Sequence, residues 1–236
     1  MSDPAARQFW NQRAEADAFV AVDSRLEFGS PDLERFWAGG EKDLDLLLAA
    51  VGAELEPGDA VVEIGCGVGR LTRVLAARAA SVRALDVSER MLELAREHNP
   101  ELPNVSWLLG DGTSLAGVDD SSADVVVSHV VFQHIPDPEI TLGYVREIGR
   151  VLRPGGWAAF QVSNHPSVHQ PRGRAGRVRD AVGRLLRREP WHDNPYWLGS
   201  HIEIPALRAA AADGSMDLEG LAGEGTQYCI ALTRRR

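Results

Sequence analysis

Apolar positions along this chain change period several times, and each change marks an element. Residues 4–20 set Phe9, Trp10 and Phe19 among polar neighbours and predict a helix. Residues 32–52 repeat the helical pattern, with Leu44, Leu47, Leu48 and Val51 three to four residues apart. Pro57-Gly58 marks a turn, and a strand begins at Ala60. From there strands and helices alternate: a helix over 70–80, a strand over 82–87, and a helix that Ser88 caps and Pro100 ends near His98. A third strand follows over 105–109. The fourth, over 124–128, is almost continuous valine, as expected of a strand buried on both faces of a parallel sheet. A helix over 140–152 is broken by Arg153-Pro154-Gly155-Gly156, and a fifth strand spans 157–162. This alternation predicts βαβ units in a doubly wound α/β sheet.

The rhythm stops at Ser163. Residues 163–204 are rich in proline, glycine and arginine and read as an insertion between core elements. A short helix over 205–212 then precedes strands over 216–221 and 226–233, close enough to form an antiparallel hairpin. The expected organisation is an N-terminal helical cap over 1–43 and a core over 44–236, with 163–204 as a lid inserted after strand 5.

The 236 residues suffice for a sizeable core, and the net charge of -9 argues against a general nucleic-acid binder. Cys66 and Cys229 form no C-x-x-C pair, so a reducing compartment is expected. No run approaches the length of a membrane span, and the expected location is the cytoplasm.

The chemistry concentrates where strand 1 meets the next helix, in Val61-Val62-Glu63-Ile64-Gly65-Cys66-Gly67-Val68-Gly69. Three glycines at this spacing let a ligand lie against bare backbone. Glu63 would repel a phosphate and suits a ligand bearing hydroxyls or positive charge. Asp86 closes strand 2 and Asp111 follows strand 3, and the carboxyl ends of such strands converge on one crevice. A carboxylate at Asp86 can accept both hydroxyls of a ribose, and one at Asp111 can accept from an exocyclic amine. A nicotinamide dinucleotide site would want G-x-G-x-x-G, whereas Arg70 follows the third glycine here.

Over about residues 44–162 the chain resembles the class I S-adenosylmethionine-dependent methyltransferases. The resemblance rests on the glycine turn, Asp86, Gly110-Asp111-Gly112, Phe132-Gln133-His134-Ile135-Pro136-Asp137 and Leu152-Arg153-Pro154-Gly155-Gly156. It implies a Rossmann-like seven-stranded sheet of order 3-2-1-4-5-7-6 with strand 7 antiparallel, and S-adenosyl-L-methionine as cofactor. The implied cofactor-binding set is Glu63, Gly65, Cys66, Gly67, Gly69, Asp86, Val87, Met91, Asp111, Gly112 and Ser128. The implied reaction is in-line transfer of a methyl group to an O or N atom of a small molecule or peptide-like natural product. An RNA methyltransferase, or a silent protein that only binds the cofactor, are the alternatives.

His134 and His129 flank the end of strand 4 and are the candidate bases, since histidine titrates near neutrality. The competing reading of His134 is that it orders its own loop. His165 and His169, with His192 and His201, share the insertion, but Pro166 and Pro171 argue against a helix presenting the first two, and no metal is assigned. The arginines between Arg172 and Arg188 oppose a single acid, Asp180, and suggest a lid for an anionic substrate or a solvated amphipathic helix. Trp191, Tyr196 and Trp197 are expected to wall the substrate or pack the lid, and Trp10 to close over the cofactor.

Overall fold

The computed structural model describes residues 2–169 and 194–236. The arginine run, Trp191 and His192 lie outside the described residues. Seven strands form one sheet in the order β3-β2-β1-β4-β5-β7-β6. They are β1 (Ala60–Ile64), β2 (Ser81–Asp86), β3 (Val105–Leu109), β4 (Ala123–Ser128), β5 (Leu152–Val162), β6 (Met216–Ala222) and β7 (Cys229–Arg235). The first five pair in parallel, and β7 runs antiparallel to both β5 and β6.

The valine run of β4 divides as its period of two requires. Val125 and Val127 join one apolar cluster with Leu44, Leu47 and Leu48 of α2 (Leu33–Val51) and Leu71 and Leu75 of α3 (Arg70–Arg78). Val126 joins the other with Val145 and Ile148 of α5 (Pro138–Val151). Each of these side chains is almost fully buried, and each burial stabilises the fold by roughly 1.5–3 kcal/mol. α4 (Glu89–His98) starts at Ser88, whose hydroxyl accepts from the Met91 N–H as an N-cap.

Three departures from expectation exceed a shift of one or two residues at an element's end. β5 begins at Leu152 rather than Trp157: Leu152 already pairs with Ala123, and the register resumes at Val125 and Trp157 beyond an irregularity at Pro154-Gly155-Gly156. β7 starts at Cys229 because Gly223 to Thr226 are spent in the turn. α1 (Pro4–Val22) is interrupted at Asp17, whose extended backbone breaks the helix and whose carboxylate accepts from Val20. Among the described residues, two short helices lie between β5 and β6, α6 (Pro195–Leu198) and α7 (Ile204–Asp213). Among the described residues no helix is long and apolar enough to cross a membrane.

Candidate active site

Between β1 and α3 the chain turns through glycines that no other residue could replace without movement. Gly65 (φ 75°) faces the Val131 side chain where a Cβ would sit, and Gly67 (φ 54°) has Val22 2.6 Å from that point. The N–H groups of Gly65 and Cys66 both donate to the Leu85 carbonyl, at 2.7 and 2.9 Å. Asp86 ties the turn from β2: one carboxylate oxygen accepts from Gly67 N–H and the other from Ser88 N–H, each at 2.8 Å. Burial pushes its pKa up against the pull of those amides. Two lone pairs are thereby used, and a carboxylate has about four acceptor sites.

A cavity of about 150 Å³ opens beside this turn at the carboxyl ends of β1, β2 and β4. At one side of it Glu63 is buried and accepts the Thr72 hydroxyl at 2.5 Å. Loss of solvent raises its pKa to about 7, with the Asp86 charge adding to the rise and Thr72 and Arg70 opposing it. Arg70, the first residue of α3, is 4% exposed. Its Nη1 donates to Asp43 at 2.7 Å, and the same carboxylate oxygen takes Arg25 at 2.9 Å. His129, just after β4, lines the same cavity, and burial lowers its imidazole to about 4.

The loop after β4 is strained. Val130, a β-branched residue, has φ 57°, a conformation that costs on the order of 1–3 kcal/mol and collects at functional sites. Its N–H donates to Gln161 Oε1 at 3.2 Å, which fixes the orientation of a chain of amides. Gln161 Nε2 donates to Gln133 Oε1 at 2.7 Å, and Gln133 Nε2 then donates to His134 Nε2 at 3.2 Å. His134 Nδ1–H is left to meet the Trp197 carbonyl at 3.2 Å. Burial lowers His134 to about 4, outweighing that carbonyl, so the ring is neutral at physiological pH with both nitrogens engaged.

α1 and α6 roof the cavity together. Trp10 meets the His134 ring edge-on, and Phe9 stacks on Tyr196. The Tyr196 hydroxyl donates to Asp3 at 2.9 Å, while Asp3 N–H donates to the Asp111 carbonyl and Arg7 to the Gly110 carbonyl. A second cavity of about 270 Å³ shares Ala21, Val22, Val130 and His134 with the first and extends to His169 and Tyr228.

Of the residues expected at the cofactor, Glu63, Gly65, Cys66, Gly67, Asp86, Val87, Met91 and Gly112 line the first cavity, as do His129 and His134. Gly69, Asp111 and Ser128 do not. Gly69 caps α3 against Asn99 and Trp107, and the Ser128 hydroxyl donates to the Ile64 carbonyl. The Asp111 carboxylate accepts within its own loop, from Thr113 and Ser114 N–H and the Ser114 hydroxyl. Those bonds lower its pKa despite burial. His169 holds the Leu198 carbonyl and the Ser163 hydroxyl, and no metal-holding group occurs among the described residues.

Residues 62–160 match the family model of the methyltransferase domain. A trans-aconitate 2-methyltransferase of Mycobacterium sp. (strain KMS) is 38% identical over 174 residues, 70% of this chain and 59% of that protein. Over these residues the chain is similar to methyltransferases. A ubiquinone biosynthesis O-methyltransferase of Thiobacillus denitrificans is 33% identical over 108 residues, covering 45% of each chain. The chain thus spans less than two thirds of these curated relatives. Among solved structures, an S-adenosylmethionine-dependent methyltransferase from Mesorhizobium loti superposes with TM-score 0.62 at 19% identity, over 82% of this chain and 97% of that one. Phosphoethanolamine N-methyltransferase 1 of Haemonchus contortus, in complex with phosphoethanolamine and S-adenosylhomocysteine, gives 0.67 at 20% identity, over 98% and 48%. At these identities the likeness is one of fold.

S-adenosylmethionine is the cofactor of this methyltransferase class, and the cavity suits it. Gly65 and Gly67 present backbone alone to the cavity they line, and a Cβ at either would collide with Val131 or Val22. Asp86 retains acceptor capacity towards a diol, while Val87 and Met91 supply apolar walls. Arg70 Nε and His129 Nδ1 are buried beside the same space with no partner among the described residues.

Proposed function

We propose that this protein transfers a methyl group from S-adenosylmethionine to an O or N atom of a small organic molecule. The observation that carries the reading is the convergence of the glycine turn, Asp86, Glu63 and the strained Val130 loop on one cavity roofed by Trp10 and Tyr196. The names of the relatives, which include an O-methyltransferase and a trans-aconitate methyltransferase, favour oxygen and small acceptors. A peptide-like natural product is a second substrate class of the same reading.

When bound, the cofactor supplies a sulfonium that releases its methyl group to a nucleophile in line with the breaking bond. The chain supplies positioning and exclusion of water. Glu63, Gly65, Gly67 and Asp86 hold the cofactor end, Trp10 and Tyr196 cover it, and the second cavity receives the acceptor. His134 sits between the two cavities as a neutral, doubly hydrogen-bonded ring, which makes it a positioning residue for the wall. An acceptor that enters already deprotonated, or with an acidic hydroxyl, needs nothing stronger. The arginine lid proposed for anionic acceptors falls outside the described residues.

The test has two parts. Calorimetry with S-adenosylmethionine and S-adenosylhomocysteine should show binding, and incubation with small carboxylates, phenols and amines should release S-adenosylhomocysteine. Binding without turnover on any of them would favour a silent cofactor-binding protein. Methylation of RNA in preference to small acceptors would favour the nucleic-acid alternative, which the net charge of -9 disfavours.

A further inference from the structure

Every residue of β5 from Ala158 to Val162 is buried, and all but one are apolar. The exception is Gln161, 1% exposed at a position where packing alone would favour another aliphatic side chain. A primary amide kept there must find partners for its polar atoms. Gln161 finds them in three separate segments. Its Oε1 accepts the Val130 N–H at 3.2 Å, in the loop leaving β4. Its Nε2 donates to Gln133 Oε1 at 2.7 Å, in the turn that carries His134, and to the Gln227 carbonyl at 3.0 Å, in the turn between β6 and β7. The sheet order makes this reach possible, since β5 lies between β4 and β7, with Phe160 beside Ser128 and Gln161 beside Ile230.

Val130, Gln133, His134, Gln227 and Tyr228 all line the second cavity, whereas Gln161 lines neither cavity. One amide thus stands behind three walls. Two of its contacts settle what local preference does not. Val130 keeps its positive φ only where the surroundings over-determine it, and the bond to Gln161 is one such constraint. Gln133 has two ways to turn its amide, and the donor from Gln161 selects the one that leaves Nε2 to face the His134 ring. The glycine turn and Asp86 are held through Leu85 and Ser88 instead.

We infer that Gln161 is a positioning residue for the methyl acceptor: its buried amide ties the loop after β4, the His134 turn and the β6–β7 turn together and so sets the shape of the second cavity. This rests on the methyl-transfer reading above, in which that cavity receives the acceptor. Gln161 touches no reactant itself and acts through Val130, Gln133 and Gln227. Its influence therefore falls on the acceptor and spares the cofactor.

Gln161→Met keeps the length of the side chain and removes all of these bonds. In this variant KM for a small acceptor that the wild type methylates should rise about 5- to 100-fold, the range for buried partners left unpaired, while calorimetric affinity for S-adenosylhomocysteine stays within about threefold. Hydrogen exchange followed by mass spectrometry should quicken together over 129–134 and 223–228, segments distant in sequence, and stay unchanged over β1 and β2. Should Gln161→Met not fold, Gln161→Glu keeps the shape and the acceptor for Val130 but loses both donors. It should raise KM likewise and quicken exchange in the turn before β7 more than at Val130. Faster exchange with unchanged KM would reduce Gln161 to a structural residue and overturn the inference, as would equal losses for acceptor and cofactor. Wild-type protein that binds neither S-adenosylmethionine nor S-adenosylhomocysteine would overturn the methyl-transfer reading and the acceptor role with it, while the exchange pattern would still report whether Gln161 joins the three segments.

Discussion

Glu63 is the group whose replacement tests the electrostatics of the site most directly. Its pKa rises from 4.5 to about 7 because burial penalises the charged form more than the Thr72 hydroxyl and Arg70 favour it. A shift of this size, at 1.36 kcal/mol per unit, corresponds to about 3 kcal/mol. The sign follows from proton binding. Below pH 4.5 the group is protonated folded and unfolded, and its contribution is fully present. Between pH 4.5 and about 7 only the unfolded chain releases the proton, so stability falls as pH rises, and above 7 it levels off.

Glu63→Gln keeps an oxygen for Thr72 and removes the titration. Urea unfolding without cofactor should therefore show the variant gaining on the wild type by about 3 kcal/mol between pH 4.5 and 8, whatever its offset at low pH. His129 and His134, both lowered to about 4, titrate identically in the two proteins and cancel in the difference. The same substitution should weaken S-adenosylmethionine at pH 8, because the ionised carboxylate that destabilises the fold is the one that attracts the cofactor's cationic end. Parallel stability curves for the two proteins across pH 4.5–8 would refute the reasoning.

Three further outcomes follow from particular contacts. Asp86→Ala should weaken S-adenosylhomocysteine by at least about tenfold in calorimetry, since it removes both the diol acceptor and the bond that holds Gly67; unchanged affinity would mean the ribose lies elsewhere. His134→Ala should leave that affinity within about threefold while raising KM for the acceptor, because the ring borders both cavities with its two nitrogens already satisfied by Gln133 and Trp197. Gly149→Ala should lower the unfolding free energy by roughly 1–3 kcal/mol in urea without touching cofactor binding, because its Cβ would meet the Gly214 backbone carbonyl where α5 meets the end of α7.

Much of this architecture was legible because it follows from local pattern. Hydrophobic period placed the strands, and the rule that strand ends converge placed Glu63 and Asp86 on one crevice. At Asp111 a local demand acts as well: Asp111-Gly112-Thr113-Ser114 offers three donors within three residues, and the short acid accepts all three. The clue was in the sequence, since Asp before Gly-Thr-Ser is turn chemistry. The boundary of β5 was missed for the opposite reason, because proline and two glycines read locally as a stop while pairing with Ala123 carried the strand across them.

What the sequence could not show is contact between distant segments. Asp3 and Tyr196 are 193 positions apart, and neither belongs to a motif, yet their hydrogen bond joins the two halves of the roof. Arg70 was read only as the absence of a fourth glycine. The signal for it lay thirty residues earlier, in the Gly39-Gly40 pair that weakens α2 for no local reason. A helix interior keeps such a pair when something must approach its backbone. Here that something is a buried arginine held ready by Asp43, which ties the cap, the glycine turn and the cavity into one electrostatic unit.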